Sequence, residues 1–215
     1  MKVIALNGSP RKNWNTATML QKALDGAAAQ GAETELIHLY DLNFKGCRSC
    51  FACKTKNGPS YGRCASKDDL TPVLQKIADA DALILGSPMY FGSVSAEMRA
   101  VFERLLFPYL VYARPPRSLC PKKMRAALIY TMNCPEEFAA QVGYDKYFAQ
   151  NEGLLSRILG SCTSLQAYDT CQFEDYSKVV SEMMDPAKKA ARRTDAFPQD
   201  CQKAFELGAK LARAD

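Results

Sequence analysis

Short apolar runs alternate along the chain with stretches in which apolar positions recur every three or four residues. Val3–Leu6 is uncharged and apolar, and the turn-rich NGSPRKNWN after it gives way to a helical stretch, Thr16–Gln30. Within that stretch Met19, Leu20, Ala23, Leu24 and Ala27 fall on one helical stripe. Glu35–Leu39 predicts a second strand, and Asp68–Ala80 a helix with Leu70, Val73, Leu74 and Ile77 facing inward. Ala82–Leu85 is apolar at every position, the pattern of a strand covered on both faces in a parallel sheet. GSPMYFGS then predicts a turn into the helix Ala96–Phe107. Met124–Thr131 predicts a fourth strand, Gly143–Leu159 a helix and Thr163–Tyr168 a fifth, less regular strand. The last helix, Phe197–Arg213, places Cys201, Ala204, Phe205, Leu211 and Ala212 on one side.

Five strands alternating with helices predict a doubly wound α/β fold: a five-stranded parallel sheet in three layers, in one domain over residues 1–215. In such sheets ligands bind outside the carboxyl ends of the strands, where the winding reverses. That rule selects the loops after strands one, three and four: NGSPRKNWNT, GSPMYFGS and TMNCPEE.

Composition narrows the function. Hydrophobic content of 47% with 24% charged residues is that of an ordinary globular enzyme. The net charge of +5 is mild, and much of it lies in Lys188, Lys189, Arg192 and Arg193. A solvated helix face accounts for these better than a nucleic-acid footprint. No run is long enough for a membrane span. The apolar run near the N-terminus is shorter than a secretory core, so the expectation is a cytoplasmic protein whose nine cysteines are reduced. His38 is the only histidine and lies within strand two, which disfavours Ser-His-Asp, Cys-His and histidine–zinc chemistry.

The loop GSPRKNWNT lacks the Gly-Lys-Ser/Thr of a nucleoside-triphosphate loop, and no GxGxxG follows any strand. What remains is a hydroxyl- and amide-rich turn at a helix N-terminus, where free N–H groups attract an anion. Ser9, Asn15 and Thr16 can donate to phosphate oxygens and Arg11 can supply charge; helix capping accounts for one such residue, not four. An aromatic turn, PMYFGS, suits a flat apolar ring with a polar edge.

In these stretches the chain resembles the NAD(P)H-dependent FMN reductases and their iron–sulfur flavoprotein relatives. The similar segments are GSPRKNWNT, ALILGSPMYFGSVSAEMRAVFERL and the cysteine segment CRSCFACKTKNGPSYGRCASKDDL, in the family's order over roughly the first half of the chain. The resemblance implies a flavodoxin-like fold with FMN bound non-covalently. It assigns the phosphate to Ser9, Arg11, Asn15 and Thr16, and the ring to Pro88, Met89, Tyr90, Phe91, Gly92 and residues around Thr131 and Asn133; Ser93 offers an amide to the ring edge. Trp14 departs from the family, which has a small residue there. The implied activity is hydride transfer from NAD(P)H to FMN and on to a second acceptor: free flavin, a quinone or a redox protein. A homodimer is implied too. Because the flavin carries the chemistry, no side chain is named as catalytic. The rivals are an electron carrier with a [4Fe–4S] cluster and a non-redox module that binds a phosphate ligand.

Cys47, Cys50 and Cys53 recur at intervals of three, and Cys64 follows Cys53 after ten intervening residues, on a loop spanning 46–67. C-x2-C-x2-C suits three corners of a [4Fe–4S] cluster, but the fourth ligand is late; zinc prefers two separated pairs. Cluster, zinc and free thiols all stay open, and metal is left out of the main expectation. Leu106–Lys123, rich in proline and basic residues, is read as a pocket wall, an interface or a plain surface loop. Residues 173–195 are read as a helical insertion whose Met183 and Met184 either pack on a partner subunit or are buried within the chain.

Overall fold

The computed structural model describes residues 1–213. Strand β1 (Lys2–Asn7) is the centre of the winding: it pairs in parallel with β2 (Glu33–His38) on one side and β3 (Ala82–Tyr90) on the other. β3 pairs with β7 (Met124–Thr131), and β7 with β8 (Gly160–Ala167), all parallel, giving the order β2-β1-β3-β7-β8. Residues alternate in facing. Val3 and Ala5 meet α1 (Asn15–Ala28) and α7 (Phe197–Ala212) on one face. Ile4 and Leu6 meet α2 (Leu70–Asp79), α3 (Ala96–Tyr109) and α5 (Tyr144–Leu159) on the other. The result is the doubly wound, three-layer architecture that the pattern predicts, and the flavodoxin-like fold that the resemblance implies.

α1 and α7 cross so closely that glycine is required on both. A Cβ at Gly26 would lie 1.9 Å from the Phe205 carbonyl oxygen, and one at Gly208 1.7 Å from that of Ala23. The hydrophobic stripe predicted for α1 is the stripe buried there: Met19, Leu20, Ala23 and Ala27 are fully buried.

Two elements depart from the sequence reading. GSPMYFGS is not a turn throughout. β3 runs on to Tyr90 because Ser87 and Pro88 stay paired with Tyr130 and Thr131, and it then folds back on the two-residue strand β4 (Ser93–Val94). The hairpin turn is Phe91-Gly92, both at positive φ (+48° and +82°), as a two-residue loop on twisted strands requires. The insertion at 173–195 is helical only from α6 (Pro186–Ala191) onward, apart from one 3₁₀ turn at Tyr176–Lys178. Asp185 caps α6 by accepting from the amides of Ala187 and Lys188, and Pro186 suits its first turn. A five-residue π turn, Arg192–Ala196, then leads into α7. The remaining elements are a small hairpin of β5 (Leu110–Val111) with β6 (Arg117–Ser118), and the short helix α4 (Glu136–Gln141). No helix among the described residues is long and apolar enough to cross a membrane.

Candidate functional site

The three loops selected by the winding rule meet at the carboxyl end of the sheet. The first is shaped by its own side chains. Buried Asn7 ends β1, its Oδ1 accepts from the Ser9 amide at 3.0 Å, and Ser9 Oγ accepts from the Arg11 amide at 3.2 Å. Such side-chain-to-backbone bonds hold a tight turn without regular structure. Asn7 also lies 3.0 Å from His38 Nδ1, so the only histidine serves the sheet, as its position in strand two predicts. Asn7 is a residue that sequence reasoning missed, although its place at the end of strand one was a signal.

Neither Asn15 nor Thr16 caps α1. The N-cap position is Trp14, which makes no side-chain cap bond, and no acidic residue occupies the first turn. The opening amides of the helix keep their capacity for an anion. Thr16 reaches across instead: its hydroxyl meets that of Thr131 at the end of β7, 2.7 Å away, both buried. The structure thus joins two residues assigned separately to phosphate and ring. Asn15 and Arg11 turn toward the segment after β8. Asn15 Nδ2 donates to the Cys171 carbonyl at 2.8 Å, and Arg11 Nη1 to the Gln172 carbonyl at 2.5 Å.

The second loop is the β3–β4 hairpin. Ser87 Oγ accepts from the Ser95 amide at 2.9 Å, and Ser95 in turn caps α3 by accepting from the Met98 amide. Ser93 Oγ lies 3.0 Å from the Tyr147 hydroxyl, which also accepts from the Val94 amide at 3.1 Å; the base of the hairpin is therefore fixed. At its tip Tyr90 is 45% exposed and Phe91 fully exposed. Pro88 and Met89 are half-buried beneath them. Two large aromatics held clear of the core on a rigid turn form a platform for a flat apolar partner. Burial, then the bond to Glu97, push the Tyr40 phenol up, and burial raises Tyr90, so both stay neutral.

Behind the third loop lies a cleft of about 630 Å³, lined by Met89, Met132, Asn133 and Phe138 and by Met184 and Lys189 of the C-terminal segment. Burial pushes the thiol of Cys134, also in this cleft, up. Lys189 corrects the reading of a solvated helix face. Its side chain is 6% exposed, and Nζ donates to the Asn133 carbonyl at 2.9 Å, to Asn133 Oδ1 at 2.6 Å and to Asp169 Oδ1. Arg192 is paired with Asp200. Only Lys188 and Arg193 of the four are exposed. Of the two methionines, Met183 is exposed and Met184 Sδ accepts from Asn133 Nδ2 at 3.3 Å.

The cysteine loop lies apart, against α3. Cys47, Cys50, Cys53 and Cys64 all line one cavity of about 20 Å³, together with Phe51, Glu103 and Arg104. Arg104 Nε donates to Cys64 Sγ at 3.4 Å and Nη1 to Asp68 at 2.6 Å. Lys54 closes the carboxyl end of α3, donating to the carbonyls of Phe107, Pro108 and Leu110. Cys47 and Cys50 are exposed, Cys53 is buried and Cys64 accepts from Arg104, and the four thiols are not gathered as the corners of a cluster would have to be. Among the described residues no group of three or more His, Cys, Asp or Glu side chains could hold a metal ion.

A flavodoxin-like sheet with an amide-rich first crossover and an aromatic hairpin after its third strand defines a class of flavin-site proteins. The model of the NADPH-dependent FMN reductase family matches residues 1–131, and the chain belongs to that family. It is 42% identical over 104 residues to an iron–sulfur flavoprotein of Methanocaldococcus jannaschii, covering 48% of this chain and 51% of the relative. An iron–sulfur flavoprotein of Archaeoglobus fulgidus is 39% identical over 104 residues, 48% of each chain. The chain thus spans about half the length of these curated relatives. Among solved structures it superposes on the NAD(P)H:quinone oxidoreductase of Methanothermobacter marburgensis with a TM-score of 0.68, at 17% identity over 98% of both chains. For an FMN-dependent NADH-azoreductase of Bacillus anthracis, solved with FMN, the TM-score is 0.67 at 12% identity, over 99% of this chain and 100% of that one.

Proposed function

We propose that this protein is an FMN-dependent oxidoreductase that takes reducing equivalents from NAD(P)H and passes them to a second acceptor. The observation that carries the reading is the convergence at the sheet's carboxyl end. The phosphate loop, linked through Thr16 to Thr131, faces the same region as the exposed Tyr90 and Phe91. FMN, when bound, supplies the hydride and electron chemistry. The residues of the chain bind and orient it. The free amides at the start of α1 and the loop of Ser9 and Arg11 receive the phosphate, and Thr16 and Thr131 fix the spacing between phosphate and ring. Pro88, Met89, Tyr90 and Phe91 flank the ring, while Gly92, Ser93 and Asn133 offer polar groups to its edge.

The cleft behind Asn133, with four methionines among its lining residues, suits an apolar acceptor of variable shape, because thioether side chains repack at low cost. Working as a homodimer in the cytoplasm fits this reading. The cysteines act as thiols in it, which the lack among the described residues of any group placed to hold a metal ion supports. The visible spectrum of purified protein tests the proposal. A flavin spectrum that bleaches on anaerobic addition of NADPH or NADH is expected; colourless protein that gains no thermal stability from added FMN refutes it. Iron and sulfide analysis of protein prepared without air is expected to give less than one iron per chain, and four would overturn the assignment of the cysteines.

A further inference from the structure

We infer that Arg193, outside the family-matched region, is a further contact for the cofactor phosphate, and that Trp14 places it there. The inference rests on the reading of the first crossover as an FMN phosphate loop. Trp14 stands where the family resemblance expects a small residue, and its indole is held in place: Nε1 donates to the Cys171 carbonyl at 2.9 Å. The Arg11 guanidinium lies 3.8 Å from the ring centroid and that of Arg193 4.3 Å. Both guanidiniums are therefore within cation–π distance of the one indole.

Arg193 reaches Trp14 through the π turn that joins α6 to α7. A π turn carries more residues per turn than an α-helix, and such turns are frequent at functional sites. Here it sends two successive arginines to different partners: Arg192 to the carboxylate of Asp200, Arg193 to the indole.

The electrostatics point to an anion. Neither Arg11 nor Arg193 forms an ion pair with a carboxylate among the described residues, and the first turn of α1 holds no acidic side chain. The neighbouring Lys12 does have a partner, Asp41 at 2.6 Å. Two cations therefore lie against one ring beside a helix N-terminus whose own amides are positive. A phosphomonoester carries about 1.5 to 2 negative charges at neutral pH and has three acceptor oxygens. It matches two guanidiniums better than one, and Arg11 already spends one N–H on the Gln172 carbonyl. The guanidinium of Arg193 can keep its stack on Trp14 and donate from its edge.

The test uses two flavins that differ only in the phosphate. FMN and riboflavin are titrated separately into flavin-free protein, following flavin fluorescence, for the wild type and for Arg193→Met, Arg193→Lys and Trp14→Leu. Arg193→Met is expected to weaken FMN about tenfold or more, the scale of one charge-assisted hydrogen bond, and to leave riboflavin unchanged. Arg193→Lys should recover part of that loss, and Trp14→Leu should also lower the preference for FMN over riboflavin. Equal effects of Arg193→Met on the two flavins, or none on either, would overturn the inference while leaving the flavin reading intact. A wild type that binds neither flavin would overturn both.

Discussion

Replacing Lys189 by methionine keeps the length and apolar body of the side chain and removes only its ammonium. In the folded protein that group is 6% exposed and bound to Asn133 and Asp169, so the change strips four acceptors of their donor at once. Breaking a buried ion pair from one side costs about 3–5 kcal/mol. Asp169 is 36% exposed, and water can take over part of its bonding, which brings the expected loss to about 2–3 kcal/mol. For a chain of this length each kcal/mol moves Tm by about 2–4 °C, so a fall of about 5–10 °C is expected in a thermal melt of the flavin-free protein. The double variant Lys189→Met, Asp169→Asn supplies the control. With the lone carboxylate gone, at least about 1 kcal/mol of the single-variant loss should return as coupling between the two sites. A fall in Tm below about 2 °C, or strictly additive single changes, would refute the view that this pair anchors the C-terminal segment to the sheet.

Further expectations can be checked with simple measurements. Gly208→Ala puts a methyl 1.7 Å from the Ala23 carbonyl oxygen and should cost more than about 3 kcal/mol in urea denaturation. Gly153→Ala in α5 meets nothing within 4 Å and should stabilise by about 0.5–1 kcal/mol. The backbone amide of Ala52, followed by Arg48, lowers the thiol of exposed Cys50, whereas burial pushes Cys162 up to about 12. Iodoacetamide near neutral pH should therefore label Cys50 well before Cys162 in peptide mass mapping, and the reverse order would contradict the geometry. Burial works against the charge of Asp68, but the hydrogen bond and charge of Arg104 outweigh it and hold the carboxyl below its usual range. The stability this pair contributes is present above the unfolded carboxylate value of about 3.9 and lost as pH falls through the lower folded value. Asp68→Asn should accordingly flatten the acid limb of the stability curve below about pH 4.

Much of the architecture was legible because it is written in local periodicity. A run of apolar residues such as Val3–Leu6 or Ala82–Leu85 can only be a covered strand, and the stripe Met19–Ala27 can only be one face of a helix. From these the winding, and with it the position of three loops, follows. The β3–β4 hairpin was read as a plain turn because its strand-extending pairs, Ser87 with Tyr130 and Pro88 with Thr131, lie on a distant strand. Gly92 after an aromatic was the available signal for a two-residue turn. Lys189 was misread for a related reason. Its acceptors sit on two loops, after β7 and after β8, and nothing local to PAKKAARR shows that a cavity lined with oxygen atoms awaits one of its lysines. Trp14 was visible as an oddity, yet its second cation comes from the far end of the chain.

The glycine-tight crossing of the first and last helices has a consequence for how the molecule can be divided. The segment that matches the family ends with the fourth parallel strand, yet Val3, Ala5, Ile84 and Ile129 share a core with residues of the last helix, Cys201, Ala204 and Leu211. An excised 1–131 fragment would present that surface bare to water. The family-matched segment is accordingly not a portable module, and any fusion or truncation that aims to transplant its first crossover loop must carry the C-terminal helix along with it.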